Sequence, residues 1–257
     1  MIKPGLVSIT FRPLNPRQVI HLAVKATLNG IEWGGDVHVP HGDIECAREV
    51  GRMTRDVGLE VVTYGSYYQV GLSNPQGPGF ATVLDTALAL GAPLIRVWAG
   101  NRNAEDADDG YRQRIVNQTR DIAETARTAG VCLAFEFHDG SLTNTAQSAR
   151  RLLNDIAREN VMTFWQPIHG AGSVKNTADI KLLLDKVMNV HVFHWWPTNI
   201  DRHPLAAGYD DWRSYLRQLS ESGRDHYAMM EFVKDDDVDN FRADAATLKK
   251  LLSEMNS

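Results

Sequence analysis

Residues 115–137 read IVNQTRDIAETARTAGVCLAFEF, and the change of period inside this stretch sets the fold. Its first part places Ile115, Thr119, Ile122 and Ala126 on one helical stripe, and Gly130 stops the helix. Val131 to Phe137 is then an apolar and aromatic run of strand length. The same order recurs on both sides. Toward the N-terminus lie a strand at Pro93–Trp98, a helix at Phe80–Gly91, a Gly/Pro-rich loop at 71–79 and a strand at Leu59–Tyr64. Before them come a helix from Asp43 to Gly58, a strand at Gly30–Gly34, and a helix that Asn15 caps with Pro16 at its first position. Gly5–Phe11 opens the series, and strands at Val161–Gln166, Asn189–Trp195 and His226–Val233 continue it. A last helix with Phe241, Ala245, Leu248, Leu252 and Met255 on one stripe closes it.

Eight strands alternating with eight helices in 257 residues predict an α/β chain folded as a single-domain (β/α)8 TIM barrel over residues 1–257. The competing doubly wound sheet usually carries a glycine-rich phosphate turn, and neither GxGxxG nor a P-loop is present. Net charge is −5, from 27 Lys+Arg against 32 Asp+Glu, so no overall cationic field exists to hold a nucleic acid. Cys46 and Cys132 form no CxxC pair and are expected to be buried and reduced. The first residues lack a signal-like apolar core, and no apolar run reaches the roughly 18 residues of a membrane span. The expected location is the cytoplasm, with no membrane partner.

In such a barrel the C-terminal strand ends form the active face. Thr10, Glu32, Tyr64, Trp98, Glu136, Gln166, His191 and Glu231 stand there, with His138 and His169 just beyond. Glu136 interrupts LAFEF and Glu231 interrupts AMMEFV, where a carboxylate needs a cation or several donors. Glu136, Gln166, His191 and Glu231 come from four successive strands and are expected to converge on one hard oxygen-plus-imidazole site. That donor set suits one divalent ion: Mn²⁺, Mg²⁺, Co²⁺ or Zn²⁺. Trp33, Trp98, Trp165, Trp195 and Trp196 lie at or near the same ends, with Tyr64, Tyr67 and Tyr68. Trp33, Trp98 and Tyr64 are taken as walls of a carbohydrate pocket.

With these residues in place the chain resembles the xylose isomerase-like TIM-barrel superfamily of sugar isomerases, epimerases, related lyases and dehydratases, and AP endonucleases. The carriers are GIEWGG at 30–35, Glu136-Phe-His138 for a Glu-x-His motif and Gln166-Pro-Ile-His169 for Asp-x-x-His. His191 opens the seventh-strand motif and Glu231 closes the eighth strand. The resemblance implies a single divalent metal on Glu136, Gln166, His191 and Glu231, with Gln166 replacing an acid. His194 stands where many relatives carry an acidic residue. Asp201 and His203 resemble an AP endonuclease metal motif, but Tyr64 and Trp98 occupy the positions of that family's first histidines, so they are read as loop residues.

The activity implied is isomerisation or epimerisation of a sugar or keto-sugar, with Glu136 and Glu231 as catalytic acid and base. The alternatives are a lyase or dehydratase acting on a 3-keto glycoside, or a degenerate sugar-binding barrel. His169 would orient a hydroxyl, while Arg96, His38 and His203 would contact more distant substrate groups. Few basic residues stand on the last two loops, which favours an unphosphorylated sugar. Barrels of this kind often form homodimers.

Overall fold

The computed structural model describes residues 1–72 and 78–255. Of the Gly/Pro-rich loop at 71–79, residues 73–77 lie outside the described residues. Eight parallel strands close into a barrel: β1 (Ile2–Val7), β2 (Gly30–Gly34), β3 (Glu60–Gln69), β4 (Leu94–Trp98), β5 (Cys132–Phe135), β6 (Val161–Trp165), β7 (Val187–Val192) and β10 (His226–Met230). A short antiparallel ribbon, β8 (His194–Trp195) with β9 (Arg202–His203), follows β7. The helices α1 (Pro16–Lys25), α2 (Ile44–Asp56), α3 (Phe80–Leu90), α4 (Asp109–Thr128), α5 (Ala146–Ile156), α6 (Ser173–Leu183), α7 (Tyr209–Ser220) and α8 (Val238–Met255) form the outer ring.

Local chemistry fixes these boundaries. The Asn15 side chain accepts from the Gln18 amide and Gln18 returns a bond to the Asn15 amide, a capping box ahead of Pro16. The side chains of Asp43, Asp108 and Thr145 cap α2, α4 and α5 by accepting from the amides of Cys46, Tyr111 and Ser148. Gly91 ends α3 at φ 79°, a backbone state that costs glycine nothing.

Period two along the strands gives the barrel two faces. Outward residues join the main core between strands and helices. Inward residues form two smaller apolar clusters, one of Val7, Ile9, Val62 and Met229 and one of Leu94, Ala134, Met162 and Phe164. One step of the pleat above them the inward positions become Glu32, Arg96, Glu136, Gln166, His191 and Glu231, all buried. The barrel therefore fills its lower interior with apolar side chains and carries charge at its mouth.

Several strand edges differ from the sequence expectation. The run expected as a strand at Gly5–Phe11 is a strand only to Val7 and then a 3-10 turn at Ser8–Phe11, while β5 ends at Phe135 and β10 at Met230, short of Phe137 and Val233. β3 runs on to Gln69, because its register with β4 jumps from Gly65↔Arg96 to Tyr68↔Val97 and Ser66 and Tyr67 bulge out. β7 starts at Val187 and ends at Val192, and the apolar run that continued it to Trp195 belongs to the ribbon. Among the described residues no helix is long and apolar enough to cross a membrane.

Candidate active site

Six side chains meet at the barrel mouth. His191, fully buried, places Nδ1 3.1 Å from Gln166 Oε1, 3.3 Å from Glu231 Oε2 and 4.0 Å from Glu136 Oε1. Its Nε2 lies 3.4 Å from Glu32 Oε2. Arg96 donates through Nε to Glu32 Oε1 at 2.7 Å and through Nη1 to Glu136 Oε2. The Tyr67 ring, carried over the mouth by the β3 bulge, lies 5.0 Å from the Arg96 guanidinium carbon. At Gly65 a Cβ would stand 2.9 Å from both Arg96 Nη2 and Glu32 Oε1, so only glycine leaves room for this pair.

Three buried carboxylates thus face one guanidinium and one imidazole. Burial alone would push the Glu32 carboxyl up, yet Arg96 and then His191 hold it at about 2. Burial also opposes charge on His191, but Glu231 and Glu32 raise it to about 9. Glu231 is lowered in turn, its desolvation overcome by His191 and Arg96. The cluster carries more negative charge than one guanidinium neutralises, and the imidazole takes up a proton in response.

Glu136, His191 and Glu231 each offer a ligand atom within 4.8 Å of the others, and among the described residues no other group of three or more His, Cys, Asp or Glu does so. Two carboxylates, an imidazole nitrogen and an amide oxygen form a donor set that fits a hard or borderline divalent ion. Asp201 instead accepts from Thr198, and the exposed His203 ring bonds the Trp196 carbonyl at 2.9 Å. They do not gather with His169 into a second metal group.

The other expected residues divide by face. Trp98 lies on the inward face of β4, where its ring packs at a tilt against His138, 4.7 Å between centroids. His169 stacks on Trp195 at 5.0 Å and lines a cavity of about 110 Å³ with His138, Asp139, Gln166, Trp195 and Asn199. No Lys or Arg lines that cavity.

Trp33, Tyr64 and His38, expected at the pocket, are turned away from it. Trp33 and Tyr64 are register partners one position past the inward Glu32 and Thr63, so the pleat points both toward the helices. Trp33 is fully buried with its indole donating to Thr54 of α2, and Tyr64 donates to the Val39 carbonyl. His38 bonds the Leu14 carbonyl. Arg96, expected to reach distant substrate groups, is instead locked between two glutamates and 1% exposed. Glu32, a strand-end residue outside the expected ligand and substrate-contact set, joins the site. Its signal in the sequence is the one that picks out Glu136, an acid inside an otherwise apolar strand.

The sequence pattern of the xylose isomerase-like TIM barrel matches residues 20–251. The chain belongs to this family. It is 22% identical over 274 residues to a 3-dehydroshikimate dehydratase of Bacillus anthracis, covering 96% of each chain. The solved structure of the probable 3-dehydroshikimate dehydratase from that organism superposes with a TM-score of 0.78 at 20% identity, covering 96% of this chain and 98% of the other. The IOLI protein with a bound zinc atom gives a TM-score of 0.81 at 17% identity over 98% and 99% of the two chains. An L-ribulose 3-epimerase gives 0.73 at 16% identity over 100% and 96%. As a xylose isomerase-like barrel, the chain shares its architecture with both epimerases and a dehydratase.

Proposed function

We propose that this chain is a divalent-metal-dependent isomerase or epimerase of a sugar or keto-sugar, in which Glu136 and Glu231 transfer a proton at the carbon beside a carbonyl. The observation that carries this reading is the convergence of Glu136, Gln166, His191 and Glu231, from four neighbouring strands, on one buried point at the barrel mouth. When bound there, a divalent ion such as Mn²⁺, Mg²⁺, Co²⁺ or Zn²⁺ would polarise the carbonyl and stabilise the charge that develops on its oxygen.

The residues supply the rest. One glutamate removes the proton, and a second carboxylate on the other face of the carbon returns one with inversion, which is epimerisation. Return to the neighbouring carbon gives the isomer. His169, whose Nδ1 is buried without a partner, has a donor or acceptor left for a substrate hydroxyl. The 110 Å³ cavity beside the site holds imidazole, amide and carboxylate groups and no fixed cation, which favours an uncharged sugar over a phosphorylated one.

Dehydration is the second reading, favoured by the dehydratase relative that spans 96% of this chain. The same proton abstraction would be followed by departure of a hydroxyl from the next carbon, with loss of water. Incubation in D₂O with a panel of ketoses, 3-keto glycosides and 3-dehydroshikimate separates the cases. Deuterium in recovered or epimerised sugar supports the first reading, and an unsaturated product one water lighter supports the second. No exchange from any of them, with metal bound, would count against both and favour a sugar-binding barrel.

A further inference from the structure

We infer that Glu32 is the positioning residue for His191: it holds the imidazole by Nε2 so that Nδ1 faces Glu136, Gln166 and Glu231. The inference rests on the metal-dependent reading above and extends it to a residue outside the four-membered donor set.

The geometry is directional. Nε2 has the carboxylate of Glu32 at 3.4 Å, while Nδ1 has Gln166, Glu231 and Glu136 at 3.1, 3.3 and 4.0 Å. A proton kept on Nε2 by Glu32 leaves the Nδ1 lone pair for an ion held by the other three, since one hydrogen-bonded nitrogen fixes which nitrogen of the ring is free. Glu32 can do this because it is itself immobile. Its second oxygen accepts from Arg96 Nε at 2.7 Å, and Arg96 also grips Glu136. One connected line, His191–Glu32–Arg96–Glu136, therefore orients two of the four donors from β2 and β4. The His191 ring is also packed 4.9 Å from Phe164, which limits rotation.

A role confined to neutralising Arg96 makes a different prediction, and Zn²⁺ separates the two. The parent protein, Glu32→Gln and Glu32→Asp would be titrated with Zn²⁺ by calorimetry, and ¹⁵N-histidine NMR spectra recorded on the zinc-loaded proteins. Glu32→Asp keeps a negative charge beside Arg96 while shortening the reach to His191, so it remains informative if the glutamine variant fails to fold. The expected result is one Zn²⁺ per parent chain with the His191 proton on Nε2, and roughly 10- to 100-fold weaker Zn²⁺ binding with loss of that Nε2–H signal in each variant that folds. Unchanged Zn²⁺ affinity in the variants, or a parent His191 carrying its proton on Nδ1, would overturn the inference and leave the metal-dependent reading standing. A parent that binds no Zn²⁺ would overturn both.

Discussion

His191 Nδ1 lies 3.3 Å from Glu231 Oε2 with both side chains buried, and this pair makes the barrel mouth sensitive to pH. The folded imidazole titrates at about 9 against an ordinary 6.5. A raised folded value stabilises fully below the ordinary one and is lost as pH rises through the folded one. The metal-free protein should therefore lose roughly 3 kcal/mol of stability between pH 6.5 and pH 9.5, measured by denaturant titration in chelator. Metal uptake at pH 7 should release about one proton per ion, readable with buffers of different ionisation enthalpy.

Arg96 is the one permanent cation between Glu32 and Glu136. Arg96→Met leaves buried carboxylates unpaired, and the expected cost is about 3–5 kcal/mol in chemical denaturation. A loss below about 1 kcal/mol would mean that water or rearrangement satisfies the glutamates.

Gly65→Ala tests how tightly the pair is packed. The added methyl would meet Arg96 Nη2 and Glu32 Oε1 at 2.9 Å, closer than real Cβ contacts allow. The expected outcome is a loss of about 1–3 kcal/mol in stability together with weaker metal binding, since the displaced groups lead to His191 and Glu136.

The sequence made the architecture legible because each unit repeats the same punctuation. The Asn15-Pro16 cap and the Gly130 stop appear in the structure at the ends they mark. The convergence of Glu136, Gln166, His191 and Glu231 was legible for the same reason, since the ends of successive parallel strands become neighbours. What stayed hidden depended on the pleat. Trp33 stands one residue past Glu32, and that single step sends its indole to Thr54 instead of the pocket. Arg96 looked like a reaching side chain because its two partners come from residues 64 and 40 positions away. Tyr67 reaches the mouth only through a β3 bulge, which no run of residues announced.

Asp244 on α8 gives a prediction away from the site. Its carboxyl accepts from the Leu205 amide, but burial outweighs that bond and raises it from 3.8 to about 6. The charged form is thus disfavoured in the fold, and the associated stability is lost as pH rises through 6. Asp244→Asn keeps an oxygen for Leu205 and removes the charge. Because water still screens part of the carboxyl, the variant should gain about 1 kcal/mol at pH 8 and close to nothing at pH 4, by thermal melts.

Gln166→Asp would add a negative charge to the donor set at the position whose amide oxygen now lies 3.1 Å from His191 Nδ1. Divalent-ion affinity should rise at least roughly tenfold by calorimetry, while the metal-free protein becomes less stable from added repulsion among the carboxylates. Equal affinity would indicate that position 166 does not act as a ligand.

The most direct test of the central claim is the divalent-metal content of protein purified without chelator, with Glu136→Gln and Glu231→Gln purified alongside. About one ion per chain in the parent, lost in both variants, is the predicted result, because each carboxylate is proposed both to hold the ion and to carry the proton. No ion in the parent, even after loading with Mn²⁺, Co²⁺ or Zn²⁺, would contradict the metal-dependent proton transfer proposed for this barrel.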